Sequence, residues 1–168
     1  MILGLDASTT TVGYSFYDGT DILDAGFIDI SKLSTNKEKS YHVMDYLDEL
    51  PYAITEIHLE SALSGFMMGR TSQQIIIKLI RFNAIFEYIL SEHYDAPIYL
   101  IGAMTARKSV FGKARIQGMD PKTFVKSHLS NIFDLTKFDK KNKIGNWDKR
   151  NADMYDAIVI SAARYEKQ

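Results

Sequence analysis

Positions 2–5 are apolar, Asp6 interrupts them, and 13–17 resumes with Gly, Tyr, Ser, Phe and Tyr. Asp18-Gly19 is a turn pair, and 22–30 again alternates apolar residues with small or polar ones. Short apolar alternation bounded by turn residues predicts three strands in a meander. Thr35-Asn36 precedes a helical stretch over 37–50, which Pro51 ends. Ile54, Ile57 and Leu59 are the apolar positions of a fourth strand ending at Glu60. Ser64-Gly65 then opens a loop containing Phe66, Met67, Met68, Gly69 and Arg70.

Thr71 or Ser72 caps a helix that runs to His93. It is apolar round most of its circumference, from Ile75 through Phe82 and Phe86 to Leu90. A helix of that kind is buried on two sides. One side is assigned to the sheet and the other to a second subunit, so a homodimer through the 72–93 helix is expected. A fifth strand follows at 97–101, and Asp120-Pro121 supplies the N-cap and first position of a helix reaching 133. After a lysine-rich loop comes a last helix over 151–166. The order β-β-β-α-β-α-β-α-α predicts an α/β fold, a mixed five-stranded sheet flanked by helices, in one domain over 1–168.

Composition narrows the classes. Apolar residues make up 46% and charged residues 24%, as in an ordinary globular domain. With 0 Cys, disulfide frameworks, thiolate zinc sites and cysteine nucleophiles are excluded. No apolar run is long enough to span a membrane, and the N-terminus reads directly as a strand, without the basic region of a signal peptide. The expectation is a soluble protein of the cytoplasm or nucleoplasm.

The net charge of −1 is unevenly spread. Up to residue 60 the only basic residues are Lys32, Lys37 and Lys39, set among many acids. From Arg107 to Arg150 the balance reverses, with Lys108, Lys113, Arg115, Lys122, Lys126 and further lysines against Asp120, Asp134, Asp139 and Asp148. A basic region joined to an acidic half is a phosphate-binding footprint or an ordinary solvated surface.

Four acidic residues break the burial pattern. Asp6 ends a strongly apolar strand, where a carboxylate costs several kcal/mol unless paired or metal-bound. Glu60 ends the fourth strand in the same way, and Asp153 and Asp156 share one face of the last helix at i and i+3. If the first and fourth strands are parallel neighbours, Asp6 and Glu60 lie about one strand spacing apart, ~4.8 Å. A last helix docked across that edge adds the other two. Four oxygen ligands without Cys or a paired His point to Mg²⁺ or Mn²⁺ rather than zinc. The alternative makes Asp6 a turn residue and the last pair acids favoured by a helix N-terminus.

Met-Ile-Leu-Gly-Leu-Asp-Ala-Ser-Thr-Thr-Thr-Val-Gly-Tyr, then Glu60 after a strand, then Asp153-x-x-Asp156-Ala-Ile, resembles the RuvC-like Holliday junction resolvases over nearly the whole chain. The resemblance implies an RNase H-like fold, a homodimer and Mg²⁺-dependent symmetrical nicking of four-way DNA junctions. It implies that Asp6, Glu60, Asp153 and Asp156 are the catalytic, metal-binding carboxylates, with Asp6 bridging two ions. Phe66 is the candidate wedge at the junction centre, with Leu63 and Met67 as alternatives, and Arg70 lies beside it. Arg107, Lys108, Lys113 and Arg115 are expected on the phosphates flanking the cut, and Lys122 and Lys126 along an arm. The stretch after Glu60 does not closely match the bacterial enzymes, and the lysine-rich 137–149 insertion is longer than their pattern. Both departures imply a divergent branch, of viral or phage type.

Three other readings compete. The same opening resembles the phosphate-binding hairpin of sugar kinases and actin-like ATPases, which need two such domains around a nucleotide. A nuclease for flaps, forks or RNA-containing duplexes would use the same carboxylates. A non-catalytic DNA-binding module explains the basic segment but leaves the acids without a purpose. Trp147 is read as a loop anchor or a base-stacking ring, and His58 as a strand-face residue.

Overall fold

The computed structural model describes residues 1–61 and 73–164. Three strands open the chain, β1 (Ile2–Ala7), β2 (Thr11–Tyr17) and β3 (Ile22–Asp29). They are followed by α1 (Asn36–Asp48), β4 (Glu56–Glu60), α2 (Gln73–His93) and β5 (Ile98–Ile101). The helices α3 (Ala103–Phe111), α4 (Pro121–Leu129) and α5 (Asn151–Ala162) complete it. The strand order is β3-β2-β1-β4-β5, with β1–β2 and β2–β3 antiparallel and β1–β4 and β4–β5 parallel. The expected mixed five-stranded sheet is therefore present, with β1 at its centre.

Local chemistry accounts for most element ends. Thr35 and Glu38 form a reciprocal capping box at the start of α1. Asp120 accepts from the Thr123 amide, and Pro121 takes the first position of α4. The helix α3 was not expected from the sequence: Ala106 is its one buried residue, and no side chain caps its N-terminus. Its end is marked by Gly112, which adopts a left-handed φ of 74°. α4 stops at Leu129 rather than reaching 133, where the Ser130 hydroxyl turns back to the Lys126 carbonyl at 2.9 Å. α5 stops at Ala162 rather than 166, because Ala163 is extended. Ile54 precedes β4 and packs against the core from outside the strand.

The sheet separates two cores. Leu3, Leu5, Val12, Tyr14, Phe16, Ile57 and Leu59 face α1 and α2, meeting Val43, Met44, Phe82 and Phe86. On the other face, Met154, Tyr155, Ile158 and Val159 of α5 pack with Ala106, Phe124, Val125 and Leu129. Alternation along the strands sends Gly4, Asp6, Gly13, Ser15, His58 and Glu60 to this second face. Among the described residues, no helix is long and apolar enough to cross a membrane.

α5 approaches the sheet backbone to backbone. A β-carbon on Gly4 would lie 2.4 Å from the Ala157 carbonyl oxygen, and one on Gly13 would lie 2.1 Å from that of Asp153. Side chains cement the contact: the Ser15 and Ser161 hydroxyls are 3.1 Å apart, and His58 Nδ1 donates to the Ile160 carbonyl at 2.9 Å. His58 Nε2 meets Glu56 Oε1 at 2.6 Å, so the ring is a strand-face tie between β4 and α5.

Gly13→Ala should therefore force α5 off the sheet, because the obstructing atoms are backbone. The expected cost is about 3 kcal/mol, at the upper end of ordinary overpacking. For a chain of this size that is a fall of roughly 6–12 °C in melting temperature, readable by circular dichroism. A variant that melts with the parent would show that the approach is looser than 2.1 Å requires.

Candidate active site at the carboxylate end of the sheet

The parallel register of β1 and β4 pairs Leu5 with Leu59, so the next residues, Asp6 and Glu60, stand side by side at the strand ends. Across the antiparallel ladder, Asp6 lies opposite Gly13. Gly13 is where the backbone of Asp153 rests, so the first turn of α5 is carried to the Asp6 position. One turn on, Asp156 faces the same point. The expected meeting of strand ends and helix is found, and two glycines make it possible. On the other side Asn83 of α2 donates to the Ala7 carbonyl at 3.2 Å, tying that helix to the residue after Asp6.

The carboxylates feel one another. Asp6 is pushed well above the ordinary carboxylate range by burial, then by the charges of Glu60, Asp156 and Asp153. Glu60 is raised to about 7 by burial and by Asp156 and Asp153, with Arg107 opposing. Burial also raises Asp153 and Asp156, and Lys122 opposes the shift at both. This is a set of negative charges whose neighbours supply only part of the balance.

Arg107 of α3 provides the closest balance. Its Nη2 donates to Asp156 Oδ1 at 2.9 Å, in a pair whose side chains are 16% and 17% exposed. Its Nε is buried with no hydrogen-bond partner among the described residues. Lys122, in the first turn of α4, is exposed and lowers Asp6, Asp153 and Asp156 alike. Neither partnership is legible in the sequence, because α3 has one buried residue and no capping side chain, and Lys122 reads as an exposed lysine suited to a DNA arm.

The remaining basic candidates are spread more widely. Lys108 is exposed on α3, and Lys113 and Arg115 are exposed in the turn beyond Gly112. Lys126 places its Nζ 4.7 Å from the centre of the Trp147 ring, joining α4 to the lysine-rich segment. Phe66 and Arg70, with Leu63, Met67, Thr71 and Ser72, lie outside the described residues.

The donor set suits a hard divalent cation: oxygen ligands only, and mutual repulsion that such a charge would relieve. Among the described residues no group of three or more His, Asp or Glu side chains stands gathered as a ligand shell, and Asp156 is engaged by Arg107. The fit is thus one of chemistry and placement.

The sequence matches no protein-family model, and no curated protein is recognisably similar to it. Solved structures do resemble it. Thermus thermophilus RuvC in complex with a Holliday junction substrate aligns with 96% of this chain and 92% of its own, with a TM-score of 0.60 and 14% identity. The T. thermophilus RuvC structure aligns over 95% and 91%, with a TM-score of 0.56 and 12% identity. The fold is RuvC-like, and hence RNase H-like.

Two outcomes follow from the electrostatics. A carboxyl raised by folding costs nothing below its unfolded pKa and most above its folded one. Glu60 should therefore destabilise the metal-free chain increasingly as pH rises from 4.5 to about 7. The amount is on the order of 3 kcal/mol. Melting scans in EDTA should fall across that window, flatten in Glu60→Gln, and recover with millimolar Mg²⁺ at pH above the window. A pH-independent parent would contradict the raised carboxyl.

Arg107→Ala strips Asp156 of its partner and should cost roughly 2–4 kcal/mol in EDTA, somewhat below the loss for a fully buried pair. Mg²⁺ should narrow the gap between variant and parent, because the cation replaces the lost positive charge. An equal gap with and without Mg²⁺ would make Arg107 a packing residue.

Proposed function

We propose that this chain is a divalent-metal-dependent endonuclease that cuts branched DNA, and that its substrate is the four-way junction, opened by paired symmetrical nicks. The observation that carries this reading is the placement of Asp6, Glu60, Asp153 and Asp156 at one end of a RuvC-like sheet. Acids facing a phosphodiester without a cation would only repel it.

Asp6, Glu60, Asp153 and Asp156 are the residues that would hold Mg²⁺, or Mn²⁺ in its place. The chemistry supplied by the ions when bound is a nucleophile at neutral pH and stabilisation of charge on the scissile phosphate. The chain's own residues do the positioning. Ala7, held by Asn83, and Leu59, locked in register with Leu5, fix the strand ends from which Asp6 and Glu60 project. Lys122 stands close enough to influence three of the carboxylates, and it can hold a phosphate oxygen beside them. Arg107, released from Asp156, would have its full set of donors for the same anion.

A homodimer belongs to this proposal. The inner face of α2 buries Phe82, Phe86, Ile89 and Leu90, while Ile77, Ile80, Ala84 and Tyr88 form an apolar outer stripe. Tyr88 is 64% exposed and Ile77 48%. A two-fold dimer through that stripe would present two carboxylate sites to a substrate with the same symmetry.

The test is cleavage of an end-labelled four-way junction beside linear duplex and fork controls, with Mg²⁺ or EDTA. Paired nicks in opposite strands are expected, confined to the junction and dependent on metal. Asp6→Asn should lose more than the about 100-fold typical of changes behind the ligand shell. That variant should still bind the junction, since it removes one negative charge. Equal cutting of forks would assign the site to a broader nuclease, and cleavage retained by Asp6→Asn would sink the mechanism.

A further inference from the structure

The lysine-rich segment 137–150 touches the carboxylate centre only at its C-terminal end, where the charges of Asp148 and Arg150 act on Asp153, yet it is held in place at both ends. Lys141 and Trp147 form an antiparallel bridge, closed by Asn142 N–H to the Asn146 carbonyl at 2.7 Å. Asn142 Oδ1 accepts from the amides of Ile144 and Asn146 at 3.1 and 3.0 Å, and Gly145 turns the chain at a φ of 82°. Trp147 is pinned under Lys126, 4.7 Å from its ring centre. At the root, fully buried Asn151 accepts from the Lys140 amide at 3.1 Å and donates to the Lys140 carbonyl at 2.8 Å. Asn151 is the first residue of α5, two positions before Asp153. The hairpin is thus fixed to the helix end that carries the site.

Its acids are already engaged. Asp139 accepts from the Tyr155 hydroxyl, and Asp148 is gripped by Arg150 through Nε at 3.0 Å and Nη2 at 2.7 Å. Arg150 also reaches Asp29 at 2.8 Å. Among the described residues, Lys141, Lys143 and Lys149 are exposed and in no ion pair. Between this hairpin and the turn that precedes β2 runs an open groove of about 550 Å³, lined by Thr10, Thr11, Ser31, Asn142, Trp147 and Lys149, with Asp29 and Asp148 also on its wall, both paired with Arg150. Thr11 is two residues from Gly13 on the same strand face, so the groove begins about 7 Å along β2 from the carboxylate centre. An ordered loop that spends its hydrogen bonds holding unpaired cations beside a polar groove is suited to a polyanion.

We propose that the 141–149 hairpin is a separate contact for a duplex DNA arm, with Lys141, Lys143 and Lys149 on consecutive phosphates of the strand that leaves the carboxylate centre through this groove. The inference rests on the nuclease reading for the strand's course, but its binding test does not depend on cleavage. Each lysine that neutralises a phosphate releases counterions, and the salt dependence counts such contacts.

The experiment measures affinity for a labelled four-way junction and for linear duplex in EDTA, by fluorescence anisotropy over a range of salt. It compares the parent with Lys141→Ala/Lys143→Ala/Lys149→Ala and with the triple arginine variant, after melting scans confirm that all three are folded. The alanine variant should bind roughly 10–100-fold more weakly at moderate salt. Its slope of log affinity against log salt should be shallower by about 2–3, at close to 0.9 per lost contact. The arginine variant should keep the parental slope. An alanine variant with the parental slope and affinity would overturn the hairpin contact, whatever the nuclease assay shows. A parent that binds with the expected slope change but never cuts would sink the nuclease reading and leave the hairpin contact supported. A parent with no affinity for either DNA would overturn both.

Discussion

The contact on which the site depends is the seating of α5 directly on the backbone of β1 and β2. Gly4 and Gly13 leave no side chain between helix and sheet, and the carbonyls of Ala157 and Asp153 occupy the space where β-carbons would stand. Any larger residue would lift the helix and carry Asp153 and Asp156 away from Asp6 and Glu60. The flanking ties act in the same direction: Ser15 with Ser161, and His58 with the Ile160 carbonyl, span the interface along the length of the helix. Packing here is therefore also placement, since the residues that bury α5 decide where its two acids go.

That placement has an electrostatic cost. Four carboxylates share one end of the sheet; burial raises the pKa of each, and repulsion by neighbouring acids adds to it at Asp6, Glu60 and Asp153. A chain selected only for stability would dilute such a cluster, because each raised carboxyl subtracts from stability at neutral pH. The surrounding apolar packing tolerates it, and Arg107 and Lys122 offset part of the charge. On the proposed function, the guanidinium that steadies Asp156 would also be the donor for an incoming phosphate.

Much of this was legible in the residues, for identifiable reasons. Asp6 and Glu60 stood out because acids rarely end apolar strands, whereas the parallel pairing that joins them was only a condition in the sequence and is supplied by the register of β1 and β4. α5 was legible through its nearly unbroken apolar run around two acids. By contrast, α3 had a single buried residue and no capping side chain, so neither periodicity nor a start signal marked it. The two glycines were legible only as strand residues; their purpose lies in a helix more than a hundred positions away in sequence. The partner of Arg107 was hidden for the same reason, because an ion pair between α3 and α5 leaves no local trace. The site's aromatic and basic candidates in the loop after β4, Phe66 and Arg70, fall outside the described residues and stay at the level of sequence.

Charge asymmetry along the chain acquires a spatial meaning from the fold. The acidic first part of the chain supplies four of the five strands, and with them Asp6 and Glu60, whereas the basic segment wraps the face on which α3, α4 and α5 lie. Acids and bases thus meet at one end of α5: Asp153 in its first turn, Arg150 at its N-cap, Lys122 nearby and the lysine hairpin rooted on Asn151. A phosphate chain approaching that end meets cations on its flanks before it meets carboxylates at the centre. On the proposed function, positioning and chemistry then rest on different residues gathered around the start of α5. Under the same proposal, a change that weakens the flanks would alter how DNA is held, and a change at the centre would alter whether it is cut.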